Sequence, residues 1–367
     1  MLILGDDIRI SDKVIRTILH DAEKSAEAAN LVYVHDCEPG IKRLKKGRTF
    51  IYTKGSKKIT DEASLDRIRR LVIPPAWTRV WICAKENGHL QATGYDLRKR
   101  KQYRYHSLWN SLRNHTKFYR LHRFGSLIPA IRERIEKDLA LPGLPQEKVL
   151  AAVVCLMERT SIRIGNNAYE KLYGSFGITT LKDKHVNIKG ASVQFSFKGK
   201  KGVLHKISLR SKRLATIVKQ CRDIPGQELF QYYDEQGNHK CIDSGMVNQY
   251  LKSVSGEDFT AKDFRTWSGS VQALLAFRSI EPCDTETGRK KNIVAALDAV
   301  AAHLGNTRTV CRKYYVHPVI IDLYEKQKLH HYLMAPDAAK NTADRKGLAT
   351  EERLLLRILE KEGLTLT

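Results

Sequence analysis

Gly305-Asn-Thr-Arg-Thr-Val-Cys-Arg-Lys-Tyr-Tyr-Val-His-Pro318 puts two tyrosines at the end of a short basic segment, in a chain of formal net charge +24. A phenol beside Arg and Lys suits attack on a phosphodiester, because the cations bind the anion that the phenolate oxygen must reach. A tyrosine in such a place can equally just pack its ring and hydrogen-bond its hydroxyl. Three basic residues upstream, Arg163, Lys200 and Arg265, complete a phosphoryl-transfer set and decide the reading.

At 367 residues the chain suits two domains, and 42% hydrophobic content supports ordinary packed cores. Lys plus Arg outnumber Asp plus Glu by 64 to 40, so a polyanion, with nucleic acid first, is the expected partner. The seven cysteines (37, 83, 155, 221, 241, 283 and 311) form no CxxC and read as reduced packing residues, neither a disulfide framework nor a zinc site. Met-Leu-Ile-Leu-Gly-Asp-Asp has too short an apolar run and the wrong charge to read as a signal peptide, and the longest apolar run, Val149 to Met157, is too short to span a bilayer. A soluble cytoplasmic protein with no membrane partner is expected. No GxxxxGK[ST] occurs and no tight carboxylate cluster is visible, so neither ATP, a metal nor another cofactor is expected. Phosphate chemistry in this chain would have to run on cationic side chains.

Residues 1–30 read as a polar helix. From Leu31 to about His106 short strand-like runs alternate with turns such as Glu38-Pro39-Gly40 and Lys54-Gly55-Ser56, interrupted by one helix, Ser64 to Leu71. From Ser107 the pattern is helical. Between Arg98 and Arg132 stand ten Lys or Arg and no carboxylate, interleaved with Tyr103, Tyr105, Trp109, Phe118 and Tyr119, which reads as a phosphate-tracking surface. The domain boundary falls here: a β-rich domain over 1–110 and a mainly helical one over 111–367. Pro145 opens a helix that should end around Arg163-Ile164-Gly165-Asn166, with Gly-Asn as a left-handed cap. Val193, Phe195 and Phe197 alternate into Gly199-Lys200-Lys201-Gly202 and on to Leu204–Leu209, a hairpin with two lysines at its tip. Helices follow over 211–222, 244–254, 260–278 and 290–304, and the next begins near Thr307 until Pro318 interrupts it. The stretch from Asp337 to Glu351 reads as a linker to a last helix. The fold class is α+β.

In-line attack on a phosphodiester spreads charge onto the non-bridging oxygens, and guanidinium forks suit that charge. Arg163 projects from a helix terminus on this reading, and Arg265 sits one turn into a helix opened by a capping box at Thr260-Ala261-Lys262-Asp263. The departing sugar oxygen needs a proton, which Lys200 at the hairpin tip is placed to supply. Asn306, after a helix-capping glycine, offers an amide to a phosphate oxygen.

With these residues in place, the sequence resembles the type IB DNA topoisomerases, in the bacterial branch related to the poxvirus enzymes. The resemblance runs from about Leu31 to His317. It is carried by Ile73-Pro-Pro-Ala-Trp-Thr-Arg-Val-Trp-Ile-Cys83, Gly88-His-Leu-Gln-Ala-Thr-Gly94 and Arg100-Lys-Gln-Tyr-Arg-Tyr-His106. Arg163-Ile-Gly-Asn166, Gly177-Ile-Thr-Thr-Leu181 with His185, Phe197-Lys-Gly-Lys200, Phe259-Thr-Ala-Lys-Asp-Phe-Arg-Thr-Trp267 and Arg312-Lys-Tyr-Tyr-Val-His-Pro318 complete it.

The resemblance implies that Tyr315 and not Tyr314 is the nucleophile, because the family's tyrosine lies nine residues after the His or Asn of a Gly-[His/Asn]-Thr motif. It implies Arg163, Lys200 and Arg265 as the further catalytic residues, Lys262 as a helper in proton donation, and Asn306 where poxviral and nuclear enzymes carry histidine. DNA contacts are implied for Arg98, Gln102, Tyr103, Tyr105 and Tyr169. It further implies a monomer that clamps duplex DNA with its two domains, in the nucleoid, and relaxes supercoils through a 3′-phosphotyrosyl intermediate. A tyrosine recombinase would show HxxR where this chain has Lys262-Asp263-Phe264-Arg265, and would lack the N-terminal motifs. A non-enzymatic DNA-binding protein would form no covalent adduct.

Overall fold

The computed structural model describes the chain except residues 1, 5–7, 11–13, 15, 16, 19, 20, 48, 98, 100, 335–346 and 363–367, and except the side chains of 2–4, 9, 114, 115, 168 and 169. Residues Met1–Tyr119 form one compact unit and Arg120–Gly363 a second.

The first unit does not begin as a helix. Leu2–Leu4 (β1) and Ile8–Ile10 (β2) pair antiparallel, and the helix α1 occupies only Ala22–Ala28, capped by the Asp21 carboxylate. Alternating Leu-Ile-Leu and Ile-Arg-Ile favour strand at the very start, which the overall polarity of the segment hid. Six strands follow: β3 (Ile41–Lys46), β4 (Thr49–Lys54), β5 (Lys57–Lys58), β6 (Thr78–Ile82), β7 (Leu90–Tyr95) and β8 (Lys101–Tyr105), with helix α2 (Glu62–Arg70) after β5. They make one antiparallel sheet in the order β5-β4-β3-β6-β7-β8. Ile41, Val80, Ile82 and Ala92 pack on Ile68 of α2 to form its core. The buried Arg43 of β3 donates to the carbonyls of Ile73, Pro74 and Trp77, which holds the Ile-Pro-Pro-Ala-Trp loop against the sheet. β5 and β8 are its edges, and both are largely exposed.

Helix α3 (Ser107–Leu139) carries the division between the units within its length, at Tyr119/Arg120. The sequence boundary near residue 110 falls in the first turn of the same helix.

The second unit is built around α4 (Gln146–Thr160), buried along most of its length, as Val149, Leu150, Val153, Val154, Leu156 and Met157 show. A short helix α5 (Asn167–Tyr173) leads to a three-stranded antiparallel sheet of β9 (Val186–Lys189), β10 (Ser192–Lys198) and β11 (Leu204–Arg210), in the order β11-β10-β9. The inward set Val193, Phe195 and Phe197 keeps the strand period, and the tip residues Lys200–Gly202 make a 3-10 turn. Next come α6 (Lys212–Arg222), a strand pair absent from the sequence reading, β12 (Gln231–Tyr233) and β13 (His239–Cys241), and α7 (Ser244–Ser255). The chain continues through α8 (Ala261–Ser279), α9 (Glu286–Leu304), α10 (Arg308–Tyr314), α11 (Pro318–Glu325), α12 (Leu329–Met334) and α13 (Thr350–Lys361). Pro318 opens α11 at its first turn, where no amide donor is needed. Most of the Asp337–Glu351 linker lies outside the described residues, and α13 begins before its end.

α13 is locked down by charge. Arg132 of α3 pairs with Glu158 of α4 at 2.7 Å and with Glu352 of α13 at 2.8 Å. Glu352 also accepts from the Trp267 indole and from the Ala349 amide. Arg120 donates to the Asp258 carbonyl and stacks over Phe259, and Arg123 pairs with Glu257. These three cations of the basic block therefore have partners inside the unit, a correction to its reading as one continuous phosphate-tracking surface.

Among the described residues no helix is long and apolar enough to cross a membrane, and no group of three or more His, Cys, Asp or Glu is arranged to hold a metal ion.

Candidate active site

Arg163 does not sit at a helix end. α4 stops at Thr160, and Ser161 takes the left-handed cap at φ 54°. Residues 162–166 run on without helix, and Gly165 has its own positive φ of 102°. Two contacts pull the chain out of the helix. Arg265 of α8 donates to the Ser161 carbonyl, while the turn at Ile178–Thr180 captures the next ones, Ile178 N–H to the Arg163 carbonyl and Thr179 N–H to the Ile164 carbonyl, both at 2.8 Å. The sequence pattern read as helix as far as Arg163, and these partners end it at Thr160.

From that segment the half-buried Arg163 donates to the carbonyl of Gly305 at 3.1 Å and to Asn306 Oδ1 at 2.5 Å. Gly305 is the left-handed cap of α9, at φ 58°. Arg265 is buried. It donates to the Ser161 carbonyl and to the Leu304 carbonyl, the latter at 2.8 Å. Its helix is opened by Asp263, whose carboxylate accepts from the amide and hydroxyl of Thr260. Burial first, and the charge of Arg265 second, pull Arg163 down to about 10, with Tyr315 and Cys311 opposing. It stays cationic at neutral pH.

Tyr315 caps α10, its amide bonded to the Cys311 carbonyl at 2.9 Å. Its half-buried ring lies under the Arg265 guanidinium, 5.1 Å from centroid to Cζ. The adjacent Tyr314 has Lys313 over its ring at 5.5 Å. Sequence reasoning missed what seats Tyr315. Gly269, one turn after Arg265, faces it so closely that a β-carbon there would lie 2.6 Å from the Tyr315 carbonyl oxygen and 3.0 Å from its Cβ. The fully buried Ser270 donates to that carbonyl and accepts from the His317 amide at 3.0 Å. A Gly-Ser pair inside a strong helix was the available signal.

Two donors in this cluster, Arg265 Nε and Asn306 Nδ2, are buried without a hydrogen-bond partner among the described residues. A buried donor left unpaired costs roughly 1–3 kcal/mol, so the cluster favours an incoming acceptor. Arg163, Arg265, Asn306 and Tyr315, drawn from three separate stretches of the chain, thus form one cationic, donor-rich cluster suited to a phosphate.

Lys200 stands exposed at the hairpin tip, outside this buried cluster, and Lys262 is exposed on the first turn of α8. In the first unit, Tyr103 and Tyr105 are exposed and stacked, with centroids 6.0 Å apart. Lys101 lies over Tyr103 at 5.7 Å and pairs with Asp36. Gln102, on the opposite face of β8, donates to Asp96 at 3.0 Å. Arg98 and the Tyr169 side chain lie outside the described residues.

Residues 102–337 match the family described as eukaryotic DNA topoisomerase I, catalytic core, and residues 49–96 match bacterial DNA topoisomerase IB, N-terminal domain. DNA topoisomerase 1B of Acanthamoeba polyphaga mimivirus is 34% identical over 296 residues, 78% of this chain and 88% of that protein. DNA topoisomerase 1B of vaccinia virus (strain Copenhagen) is 24% identical over 237 residues, 63% of this chain and 71% of that protein. DNA topoisomerase 1 of Mycosarcoma maydis is 26% identical over 180 residues, 43% of this chain and 17% of that protein. With a matched core that contains the whole Arg163–Arg265–Asn306–Tyr315 cluster and a matched bacterial N-terminal segment, the chain belongs to the type IB DNA topoisomerase family.

Proposed function

We propose that this topoisomerase relaxes supercoiled duplex DNA with Tyr315 as its nucleophile, neither ATP nor a metal ion being required. The Tyr315 oxygen attacks a backbone phosphorus in line with the 5′-oxygen. The O–P bond to tyrosine forms as the P–O5′ bond breaks, the phenolic proton passes to solvent, and Lys200, helped by Lys262, protonates the departing 5′-oxygen. Arg163, Arg265 and Asn306 hold the non-bridging oxygens as charge builds on them. The 3′-phosphotyrosyl bond stores the energy of the broken link, so the 5′-hydroxyl reverses the reaction after strand rotation. The observation that carries this reading is the pair of buried donors without a partner among the described residues, Asn306 Nδ2 and Arg265 Nε, with the Arg265 guanidinium lying over the ring of Tyr315.

The first domain, through Arg98, Gln102, Tyr103 and Tyr105, and Tyr169 of the second, contact the duplex on this reading, and the protein acts as a monomeric clamp in the nucleoid. Relaxation of plasmid DNA in EDTA without ATP tests the activity, and peptide mapping of the trapped covalent adduct tests the nucleophile. Relaxation that needs a divalent metal, or an adduct on Tyr314, would sink the respective part.

A further inference from the structure

The hairpin tip that carries Lys200 has little of its own to hold it in place. Its backbone closes through Gly199 N–H to the Val203 carbonyl at 2.7 Å and Gly202 N–H to the Gly199 carbonyl at 3.0 Å, with Lys201 left-handed at φ 62°. The lysine side chain is exposed. Where its ammonium stands relative to the arginine cluster therefore depends on where the tip as a whole is seated.

One side chain seats it. His205 of β11 lies directly across from Phe197 of β10, and their rings stack with centroids 5.1 Å apart and an interplanar angle of 18°. The imidazole continues from there to two glycines. A β-carbon on Gly199, the residue before Lys200, would lie 2.6 Å from His205 Cδ2. A β-carbon on Gly305, the residue before Asn306, would lie 2.5 Å from His205 Cε1. The ring is thus wedged between the hairpin tip and the turn that offers its carbonyl to Arg163, touching both backbones where only glycine leaves room. Burial first, then the charges of Arg163 and Arg265, lower its pKa, so at neutral pH it fills this space without adding a third cation.

We propose that His205 is a positioning residue, an uncharged aromatic spacer that fixes the separation between the Lys200 tip and the Gly305–Asn306 turn. This rests on the reading of Lys200 as the proton donor to the 5′-oxygen. It predicts a signature that a merely structural residue would not give, because a leaving group that needs no proton should be indifferent to where Lys200 stands.

The test uses the full chain and a duplex with a mapped cleavage site, with either oxygen or sulfur bridging to the 5′ carbon. His205→Ala should slow single-turnover cleavage of the oxygen substrate about 10- to 100-fold, the scale of a small misplacement of a catalytic group. On the sulfur substrate it should recover most of the wild-type rate, as Lys200→Ala should. His205→Phe, which keeps a flat ring of similar reach, should cleave the oxygen substrate within about threefold of wild type, because the spacer acts by volume. Gly199→Ala pushes the tip off the same ring from the other side and should reproduce the His205→Ala pattern, which keeps the proposal testable if His205→Ala folds poorly. Equal slowing on both substrates, no slowing, or a Phe variant as slow as Ala would overturn the spacer role. If Lys200→Ala is rescued by sulfur and His205→Ala is not, only the spacer falls. If Lys200→Ala is not rescued, the proton-donor assignment falls and takes the spacer with it.

Discussion

Asn306 is held at one end and open at the other: its Oδ1 takes a hydrogen bond from Arg163 at 2.5 Å, and its Nδ2 is buried without a partner among the described residues. That polarity gives its substitutions a definite order. Asn306→Ala removes one donor to a developing oxyanion and should slow cleavage about 10²–10³-fold, the usual cost of such a donor. Asn306→Asp keeps the bond to Arg163 but presents a carboxylate oxygen to the phosphate, and should be slower still. Pre-steady-state formation of the covalent adduct measures both, and an Asp variant faster than Ala would mean that the amide does not face the phosphate. At Tyr315, the phenylalanine variant should form no adduct while binding duplex normally, whereas Tyr314→Phe should retain the adduct, because Tyr315 is the tyrosine under Arg265. The resemblance had already selected Tyr315 by its nine-residue distance from Asn306. That its ring lies under Arg265 was not legible there, since one residue of rotation at a helix end decides it.

Helix α8 does three things at the site. Arg265 reaches the Tyr315 ring, Gly269 lets the Tyr315 backbone approach, and Ser270 ties the Tyr315 carbonyl to the His317 amide. Gly269→Ala puts two effects in opposition. Mid-helix alanine gains about 1 kcal/mol of helix propensity over glycine. The added methyl would stand 2.6 Å from a carbonyl oxygen, which forces Tyr315 outward. We expect helicity to be kept by circular dichroism and adduct formation to slow by at least about tenfold, as displacement of a reacting group requires. Unchanged cleavage would show that Tyr315 reaches its phosphate from a different backbone position. The sequence reading recognised α8 and its Thr260–Asp263 capping box because both are local patterns. The glycine's use was invisible there, because what it touches lies on α10.

On the scale of the whole molecule, two charge systems should respond oppositely to solution conditions. The Arg132–Glu158–Glu352 cluster is internal and little screened. Burial alone would raise Glu352, but hydrogen bonds and charge from Arg132 outweigh it and leave Glu352 lowered. A lowered carboxylate stabilises the fold above the unfolded value near about 4.3 and loses that contribution as pH falls through the folded value. Urea unfolding of wild type should therefore weaken below pH about 4.3 by a component that Glu352→Gln lacks. At pH 7 the variant should be less stable by about 1–3 kcal/mol, since Arg132 keeps Glu158 as a partner. A variant as stable as wild type at pH 7 would remove the cluster as an anchor of α13. The DNA contacts proposed for the first domain are largely contacts to phosphate, so duplex affinity should fall steeply with salt. Arg98→Ala should lower the slope of log affinity against log salt by about 1. Glu352→Gln should leave the slope unchanged, and a flat salt response of the wild type would rule out the proposed clamp.

What the sequence determined by itself is what depends on neighbours in the chain: the α+β class, the strand-rich first part and helical second part, the Gly199–Gly202 hairpin tip, the Gly305 cap, the excess of cations, and a family whose motifs are short and ordered. It erred at the start, where the polarity of the segment hid a local strand pattern, and where local pattern was contradicted from afar. α4 was read as running to Arg163, but the Arg265 guanidinium and the Ile178–Thr180 turn take the carbonyls of Ser161, Arg163 and Ile164. Arg120, Arg123 and Arg132 were read with the open basic surface, but carbonyl and carboxylate partners far along the chain engage them. Only the tertiary structure decided that Arg163, Arg265, Asn306 and Tyr315 meet, that Gly269 makes room for Tyr315, and that His205 fills the space between two glycines. Each is a contact between segments whose separation in sequence carries no periodicity, set by packing and by where buried donors find acceptors.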